Sequence, residues 1–356
     1  MKPEHAPYRL AGGAIRIGGG VYGVAAEVAD PTGAVWALLR AADGSRTPGE
    51  IVARVLSEFP AESAEAVLRA LDQFAEAGHL DDAAAPDPAA LSDRERERYS
   101  RGRLFYRWID LRPGATGWEP QLLLRAARMV VVGLGGTGGA AASALAASGV
   151  GRLHCVDSDT VELSNLNRQL LYTEADLGRS KVDVAVERLR ALNSDIEVTG
   201  ERLTITGVDD LAGLVKGCDV LVLCADRPGE IRSWANRACL DAGTPWVDAG
   251  YHGPVATASA YRPGDGACYE CMWRTEFDRR RATDPTFEYA VARGSSNAVI
   301  APSAGLSGHL AAHLATALLT GVPAVTPARL QGVNLLAADH HFVADFARHP
   351  DCPACG

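Results

Sequence analysis

The sequence lacks any apolar run long enough to cross a membrane, and it has no excess of basic residues. Its 356 residues include 35 lysines and arginines against 44 acidic residues, for a net charge of −9. A transmembrane helix needs about 20 consecutive apolar residues, and proteins that bind nucleic acids usually carry a basic surface. We therefore expect no membrane segment and no nucleic-acid partner.

No secretory signal is visible at the amino terminus, which disfavours an oxidising compartment for the eight cysteines. A disulfide framework is the alternative use of these cysteines. A chain of this length can bury a hydrophobic core without such cross-links. We expect a cytoplasmic protein with reduced thiols.

A glycine-rich turn is the most informative feature of the chain. Met129–Val132 predicts a buried parallel strand, and residues 133–139 read GLGGTGG before an alanine-rich helix that fades near Gly149. Glycines let the backbone approach a phosphate closely, and a helix N-terminus offers free N–H groups. A second strand, Leu153–Val156, ends in Asp157, an acid that can accept hydrogen bonds from ribose. This pattern alone also fits a dehydrogenase.

Polar and charged side chains that hydride transfer does not need follow this turn. They are Asp159, Asn165, Arg168, Gln169 and Lys181. A further apolar run, 219–224, precedes Asp226, which should face the same crevice because parallel strands present their ligand groups at their carboxyl ends. Cations there can neutralise departing phosphates, and an acid can hold Mg²⁺. Solvated surface charges are the alternative.

Together these motifs resemble the ThiF/MoeB/HesA superfamily, the bacterial relatives of ubiquitin-activating enzymes. The resemblance implies an α/β, Rossmann-like ThiF-type domain that adenylates a carboxyl group with ATP. It implies that Asp157 binds ribose and that Asp226 holds Mg²⁺. It also implies that Asn165, Arg168 and Lys181 bind the phosphates. The complete nucleotide-binding set is Gly133, Gly135, Gly136, Gly138, Asp157, Asp159, Asn165, Arg168, Gln169, Lys181 and Asp226.

The resembled family also delivers an arginine across a dimer interface, from a segment like LSDxExxRYxRQ. Leu91–Arg101 reads LSDRERERYSR, and Gly102 replaces the glutamine. The resemblance therefore implies a homodimer in which Arg101 acts in trans on the triphosphate, together with Arg168, Lys181 and Asp226 as catalytic residues. A charged helix or linker facing solvent is the alternative.

Two CxxC pairs suit a closed tetrathiolate zinc site. They are Cys268 with Cys271 and Cys352 with Cys355. Zinc prefers four such ligands in a tetrahedron, and four protein ligands leave no open position, so the Zn²⁺ should be structural. The remaining cysteines, Cys155, Cys218, Cys224 and Cys239, are expected in the core.

The resembled enzymes that use a working cysteine carry it after the first CxxC. The stretch Met272–Ser307 contains no cysteine. We therefore expect no covalent intermediate on this chain.

The N-terminal region predicts a small α+β module. Tyr8–Ile17 and Val21–Val28 read as strands, and Thr47 with Glu50 forms a capping box. Glu62–Gly78 reads as an amphipathic helix. Its expected apolar stripe is Ala66, Leu68, Leu71, Phe74 and Leu80.

This module resembles the PqqD-like winged-helix domains, which bind a leader peptide by adding it as a strand beside a helix. The segment Leu38–Leu80 carries the pattern LxxxDGxRTxxEI followed by a helix ending in GxL. A dimerisation or scaffold module is the alternative. We expect residues 1–82 to form this domain, residues 83–125 a linker and crossover arm, and residues 126–356 the adenylation domain with its zinc knuckles.

The two halves together resemble the microcin-C adenylating (MccB-like) enzymes. Shared features beyond the general motifs lie at 224–228, 234–236, 248–251 and 266–271. The resemblance implies ATP-dependent adenylation of a carboxyl or amide of a ribosomally made precursor peptide, within the biosynthesis of a modified peptide. Two alternatives remain, a sulfur-carrier-protein adenylyltransferase and a non-catalytic leader-binding partner of a cyclodehydratase.

Overall fold

The computed structural model describes residues 1–283, 298–337 and 339–356. It divides into two compact units, Met1–Leu122 and Leu123–Gly356. None of the described helices is both long enough and apolar enough to cross a membrane.

The first unit contains a three-stranded antiparallel sheet. Its strands are β1 (Tyr8–Arg9), β2 (Ile15–Ile17) and β3 (Ala26–Val28), in that spatial order. The prediction of one strand over Tyr8–Ile17 is wrong, because a glycine-containing turn inside it folds the chain back on itself. The second predicted strand, Val21–Val28, forms only in its last three residues.

Three helices follow this sheet. They are α1 (Ala34–Ala41), α2 (Pro48–Glu58) and α3 (Ala64–Glu76). The predicted capping box at the start of α2 is confirmed. The Thr47 N–H donates to the Glu50 carboxylate at 2.8 Å, and the Thr47 hydroxyl accepts from the Glu50 N–H at 3.4 Å.

The inward face of α3 differs from the predicted stripe. Val67, Leu71 and Phe74 are buried and pack in one cluster with the sheet and the other two helices. Leu68 is 42% exposed, so its predicted place in the core is wrong. The buried residues recur at i, i+4 and i+7, which is the spacing of one helical face.

The rest of the first unit is helical. It contains α4 (Asp93–Arg98) and α5 (Ser100–Ile109), and α6 (Glu119–Ala126) runs across the boundary between the units. The Arg107 guanidinium on α5 donates two hydrogen bonds to the carboxylate of Glu4, at 2.7 and 2.9 Å. Helix α5 is thereby tied to the N-terminal segment of the same unit.

The second unit is built on an eight-stranded mixed sheet, and the predicted α/β fold class is confirmed. Its strands are β4 (Arg128–Val132), β5 (Arg152–Val156), β6 (Glu197–Glu201), β7 (Val220–Leu223), β8 (Trp246–His252), β9 (Val255–Tyr261), β10 (Leu330–Asn334) and β11 (His341–Ala344). The spatial order is β11-β10-β9-β8-β7-β4-β5-β6. Strands β8, β7, β4, β5 and β6 are parallel, and the other three are antiparallel.

Six helices accompany this sheet in the described part of the chain. They are α7 (Gly136–Ala147), α8 (Lys181–Leu192), α9 (Val208–Val215), α10 (Ile231–Ala242), α11 (Tyr269–Thr283) and α12 (Ala301–Thr320). Helices α9 and α10 pack on the sheet in one apolar cluster with Leu221, Leu223 and Trp246. The strand order changes direction at β4. The next strands in the chain, β5 and β6, lie on one side of β4, and β7 and the later strands lie on the other side. Open α/β sheets bind ligands at such a point, outside the carboxyl ends of the strands.

Candidate nucleotide site and cysteine cluster

The glycine turn after β4 is possible only without side chains at two positions. Gly133 has a φ of +88°, and a Cβ atom there would lie 2.7 Å from the Ala225 nitrogen. A Cβ atom at Gly138 would overlap the Gly133 carbonyl oxygen. Gly135 is the N-cap of α7 and makes no side-chain cap. The first N–H groups of α7 therefore remain suited to an anionic ligand.

Gly136 brings Arg168 against this turn. A Cβ atom at Gly136 would lie 3.0 Å from the Arg168 carbonyl oxygen and 2.7 Å from the Ala304 Cβ. Arg168 is half-buried, and its guanidinium donates to the Ser164 carbonyl and the Asn167 side chain, both at 2.9 Å. The turn and one predicted phosphate-binding cation are thus neighbours.

Asp157 follows β5 directly and holds the turn through its carboxylate. One oxygen accepts from the Leu134 N–H at 2.6 Å, and the other accepts from the Asp159 N–H at 2.8 Å. Tyr172 donates to the Leu134 carbonyl at 2.9 Å, and its burial together with the Asp157 charge raises the pKa of the Tyr172 phenol. A carboxylate has about four acceptor sites, so Asp157 can still accept from a ribose hydroxyl.

Lys181 is a buried cation at the start of α8. Lys181 is 5% exposed, and its Nζ donates to the Asp159 carboxylate at 2.9 Å. The Lys181 N–H also donates to the Asp159 carbonyl at 3.0 Å. Because Asp159 itself is largely exposed, this pair presents one buried positive charge and one solvated acid beside Asp157.

Two buried amides complete this side of the site. Asn165 accepts from the Glu162 N–H at 3.2 Å through its side-chain oxygen. Gln169 is 4% exposed, and within the described ranges its Oε1 atom has no hydrogen-bond partner. The Gln169 Nε2 atom lies 3.8 Å from where a Cβ atom at Gly135 would stand. Buried amide oxygens are nearly always bonded, so Oε1 suits a donor on a bound ligand.

Asp226 lies three residues after β7 and close to the glycine turn, because its neighbour Ala225 is the residue that meets Gly133. The predicted groups Asp157, Lys181 and Asp226 thus belong to the segments that follow β5 and β7, the two strands that flank β4. Arg101 lies on α5 in the other unit and is exposed. Its role across a dimer stays a prediction.

Sequence reasoning missed an ion pair at the ends of β7 and β8. Arg232, in the first turn of α10, donates through Nε to the Asp248 carboxylate at 2.8 Å. The negative charge of Asp248 raises the pKa of Arg232, and Asp226 adds to the effect. In the sequence, residues 248–251 stand out only through their resemblance to the MccB-like enzymes. No sequence pattern predicts that Asp248 meets Arg232.

The four cysteines of the CxxC pairs form one cluster. Their Sγ atoms all lie within 4.8 Å of one another, with Cys268 at 3.8 Å from Cys271 and 3.6 Å from Cys352, and Cys271 at 3.4 Å from Cys355. A zinc tetrahedron with bonds of about 2.3 Å separates its sulfurs by about 3.8 Å. A disulfide needs about 2.05 Å. These sulfur separations match the zinc geometry and exceed a disulfide bond, and all eight cysteines are free in the structure.

Neighbouring groups bond to this cluster and shift the pKa values of its cysteines in different directions. Asn236 is 1% exposed, donates to the Cys268 sulfur at 3.5 Å and accepts from the Tyr269 N–H at 3.1 Å. Burial raises the pKa of Cys268 and of Cys355. Burial also opposes ionisation of Cys352, but N–H groups of Cys355 and Ala354 outweigh it and lower the pKa of Cys352 to about 7. Four cysteine sulfurs within 4.8 Å of one another are the donor set that Zn²⁺ prefers, so the residues present fit zinc.

The other four cysteines are not suited to nucleophilic chemistry. Cys155, Cys218 and Cys239 are buried, and Cys224 is partly buried. Burial raises the pKa of Cys155 to about 12 and that of Cys218 to about 11. Their predicted place in the core is confirmed for the three buried residues. Of the cysteine-free stretch Met272–Ser307, residues 284–297 lie outside the described residues.

A glycine turn, strand-end acids, a buried lysine and a half-buried arginine at a switch point define a nucleotide-binding α/β protein. The sequence model of the ThiF family matches residues 110–354. The chain belongs to the ThiF family.

Curated relatives carry adenylyltransferase names. Molybdopterin-synthase adenylyltransferase of Escherichia coli (strain K12) is 32% identical over 271 residues, which cover 75% of this chain and 99% of that protein. Sulfur carrier protein ThiS adenylyltransferase of the same strain is 32% identical, over 75% of this chain and 97% of that protein. Adenylyltransferase and sulfurtransferase MOCS3 of Bos taurus is 36% identical over 76% of this chain.

The match spans only 55% of the length of the bovine protein. The predicted class, the ThiF-family adenylyltransferases, is confirmed as the class to which the chain belongs. The activity of the whole chain, its substrate and its partners are therefore matters for proposal.

Solved structures share the fold over the whole chain. The crystal structure of E. coli MccB with AMPCPP and selenomethionine MccA has a TM-score of 0.77 at 24% identity and covers 100% of this chain and 99% of that chain. MccB with ATP gives the same values. Selenomethionine PaaA has a TM-score of 0.72 at 23% identity, over 98% of this chain and 100% of that chain. The predicted resemblance to the MccB-like fold is confirmed at the level of fold.

Proposed function

We propose that this protein adenylates a ribosomally made precursor peptide with ATP. The observation that carries the proposal is the first unit, most of which precedes the residues that the family model matches. MccB, whose fold extends over this unit as well, has been crystallised with ATP and with the peptide MccA. A peptide-binding module in front of an adenylation site fits a peptide substrate.

The chemistry is an attack on the α-phosphate. An oxygen of the peptide acceptor group forms the new bond to phosphorus, and the bond from that phosphorus to the bridging oxygen breaks, so that pyrophosphate leaves. The α7 N-terminus holds phosphate oxygens, and Arg168 and Lys181 offset the charge that develops on pyrophosphate. Asp157 takes the ribose. Asp226 would hold Mg²⁺, which supplies further charge compensation when bound. In a homodimer, Arg101 of one subunit would reach the triphosphate of the other.

The leader peptide would add to the edge of the small sheet. Among the described strands, β3 pairs only with β2 and so leaves one edge open. Apolar side chains are exposed nearby in the chain, with Val21 at 38% and Tyr22 at 102%. Ala26 and Val28 of β3 pack against the apolar cluster that holds the buried face of α3, and Thr32 donates to Glu62 at 3.3 Å between the segments that follow β3 and precede α3. Extended peptides bind such edges through main-chain hydrogen bonds, and neighbouring apolar side chains add specificity.

Peptide-dependent exchange of ³²P-pyrophosphate into ATP tests this function. Synthetic peptides translated from short reading frames beside the gene serve as substrates. We expect exchange with at least one of them, and we expect Asp226→Ala to abolish it. Asp209→Ala is the control, since this exposed acid lies in the first turn of α9 and is not among the predicted nucleotide-binding residues. Absence of exchange with every such peptide, from protein that binds ATP, would overturn the proposal.

The same experiment separates a purely scaffolding protein from an enzyme. If the protein were a leader-binding partner of a cyclodehydratase, the Asp226→Ala variant would bind the peptide as tightly as the wild type. Neither protein would show pyrophosphate exchange.

A second candidate is adenylation of a sulfur-carrier protein. It is favoured by the 32% identity to two E. coli enzymes over almost their full length. Those matches cover 75% of this chain. Adenylation of a carrier protein would not require the part of the chain that remains unaligned. Exchange stimulated by a carrier protein ending in Gly-Gly, and not by any peptide, would select this function.

We further propose that the cysteine cluster holds a structural Zn²⁺. Four thiols fill a tetrahedral shell and leave no position for substrate. The ion would tie the segment around Cys352 and Cys355 to the start of α11.

A further inference from the structure

The ion pair between Arg232 and Asp248 lies where the proposed reaction needs a second binding group. Asp248 stands opposite Leu223, the last residue of β7, in the parallel register. Asp226 follows β7 by three residues and contributes to the electrostatic field at Arg232. The pair is therefore beside the acid proposed for Mg²⁺, on the β8 side of the crevice.

The guanidinium is oriented and still accessible. Its Nε atom is committed to Asp248, which leaves the two terminal amino groups to form the rest of the donor fork. The Arg232 side chain is 24% exposed. The Nη2 atom lies 3.7 Å from where a Cβ atom at Gly250 would stand, so the absence of a side chain at this position keeps the space beside the guanidinium open.

Helix α10 is anchored one turn after Arg232. Asn236, four residues later and hence on the same face, is bonded to the Cys268 sulfur and the Tyr269 N–H. The cysteine cluster thus fixes the helix that carries Arg232. The exposed Arg237 of the same helix pairs with Asp241 instead, at 3.0 Å.

We propose that Arg232 binds the acceptor group of the peptide as a carboxylate, and that Asp248 is a positioning residue that orients Arg232. This inference rests on the proposed peptide adenylation. A carboxylate that approaches a triphosphate and Asp226 meets like charges, and a guanidinium fork offsets them while fixing the direction of both oxygens. A neutral amide would not need this cation.

The test compares variants in the pyrophosphate exchange assay with the peptides described above. We expect Arg232→Ala to raise the KM for the peptide by about 10- to 100-fold, the effect of losing charge-assisted hydrogen bonds, with the KM for ATP changed less than about twofold. Arg237→Ala is the matched control on the same helix and should leave both values unchanged. Asp248→Asn should raise the peptide KM by a smaller factor, because the hydrogen bond survives without its charge.

Peptide variants identify the carboxylate. A C-terminal amide tests the α-carboxylate, and Asn or Gln in place of each Asp or Glu tests the side chains. The wild type should lose exchange with one of these substitutions, and Arg232→Ala should discriminate far less between that peptide and its parent.

The outcomes are separable. An unchanged peptide KM in Arg232→Ala, or an effect confined to the KM for ATP, overturns the inference and leaves peptide adenylation standing. No exchange by the wild type with any peptide overturns the proposed function and the inference together.

Discussion

At the scale of single residues, Lys181 is a buried positive charge beside the candidate nucleotide site. Burying an ammonium group is unfavourable unless it is paired, and Lys181 has one carboxylate partner in the exposed Asp159. A triphosphate would provide a far stronger partner for the same cation. The sequence pattern supplied the residue type and the order along the chain, whereas its burial needed the fold.

Replacing Lys181 should affect chemistry more than stability. We expect Lys181→Ala to reduce the rate of pyrophosphate exchange by about 10²–10³-fold, the usual effect of removing one preorganised group that stabilises transition-state charge. Lys216→Ala, at an exposed lysine, is the control. Equal rates of pyrophosphate exchange in the two variants would show that Lys181 is not a catalytic residue.

A second residue-scale feature is the buried histidine pair of the first unit. The Nδ1 atoms of His5 and His79 lie 3.0 Å apart, and His5 also bonds the Trp108 carbonyl at 2.8 Å. Burial lowers the pKa of His79 to about 4, with the His5 and Lys2 charges adding to the effect. Burial lowers the pKa of His5 as well.

These pKa values predict a loss of stability in acid. An unfolded histidine titrates near 6.5, so between about pH 6.5 and about pH 4 the unfolded chain binds more protons than the folded one. The free energy of unfolding contributed by His79 is fully present above about pH 6.5 and falls as the pH drops towards about 4, by about 1–3 kcal/mol. Urea denaturation at about pH 7 and about pH 5 measures this fall.

The variant His79→Gln should show a smaller decrease between the two pH values than the wild type. His341→Gln, at an exposed histidine, should behave like the wild type. Parallel pH dependence in all three proteins would contradict the assignment.

At the scale of elements, the contact between α7 and α12 determines how the glycine turn is supported. Gly308 of α12 faces α7 so closely that a Cβ atom there would lie 2.7 Å from the Ala140 Cβ. One turn of α12 earlier, a Cβ atom at Gly305 would meet nothing within 4 Å in the described part of the chain. The buried hydroxyls of Thr137 and Ser307 are hydrogen-bonded between the same helices at 2.8 Å.

This difference gives a matched pair of substitutions. Gly308→Ala should lower the free energy of unfolding by about 1–3 kcal/mol, because it overfills a tight helix contact. Gly305→Ala should raise it by up to about 1 kcal/mol through helix propensity. Chemical denaturation measures both, and a stabilising Gly308→Ala would show that the helices can separate without loss.

Some secondary-structure elements could be predicted from residues close together in the sequence, and others could not. The capping box of α2 and the strands around the glycine turn follow from residues close in sequence. The inward face of α3 did not, because Val67 and Leu68 are both apolar and only the packing partners select one of them. The strand predicted over Tyr8–Ile17 failed because its internal glycines permit a turn that a count of β-forming residues does not register.

At the scale of the whole chain, the cysteine cluster connects segments far apart in sequence. Cys268 and Cys352 are 84 positions apart and their sulfurs meet at 3.6 Å. If the cluster holds Zn²⁺, its loss should loosen the carboxyl-terminal segment and the helix α10 that carries Asn236.

Metal analysis and thermal unfolding test this expectation. We expect about one zinc per chain, and we expect Cys355→Ser or treatment with a strong chelator to lower the midpoint of unfolding by about 10 °C. Added zinc should restore the chelated wild type but not the variant. Metal-free protein with an unchanged midpoint would contradict a structural zinc.

By itself the sequence determined the features whose chemistry depends on fixed spacing. The glycine turn, the two CxxC pairs and the order of Asp157, Lys181 and Asp226 are of this kind, because backbone geometry and ligand preference constrain them locally. Only the tertiary structure decided which distant side chains meet. The pairing of Arg232 with Asp248 depends on the parallel register of β7 and β8, and no local pattern encodes that register.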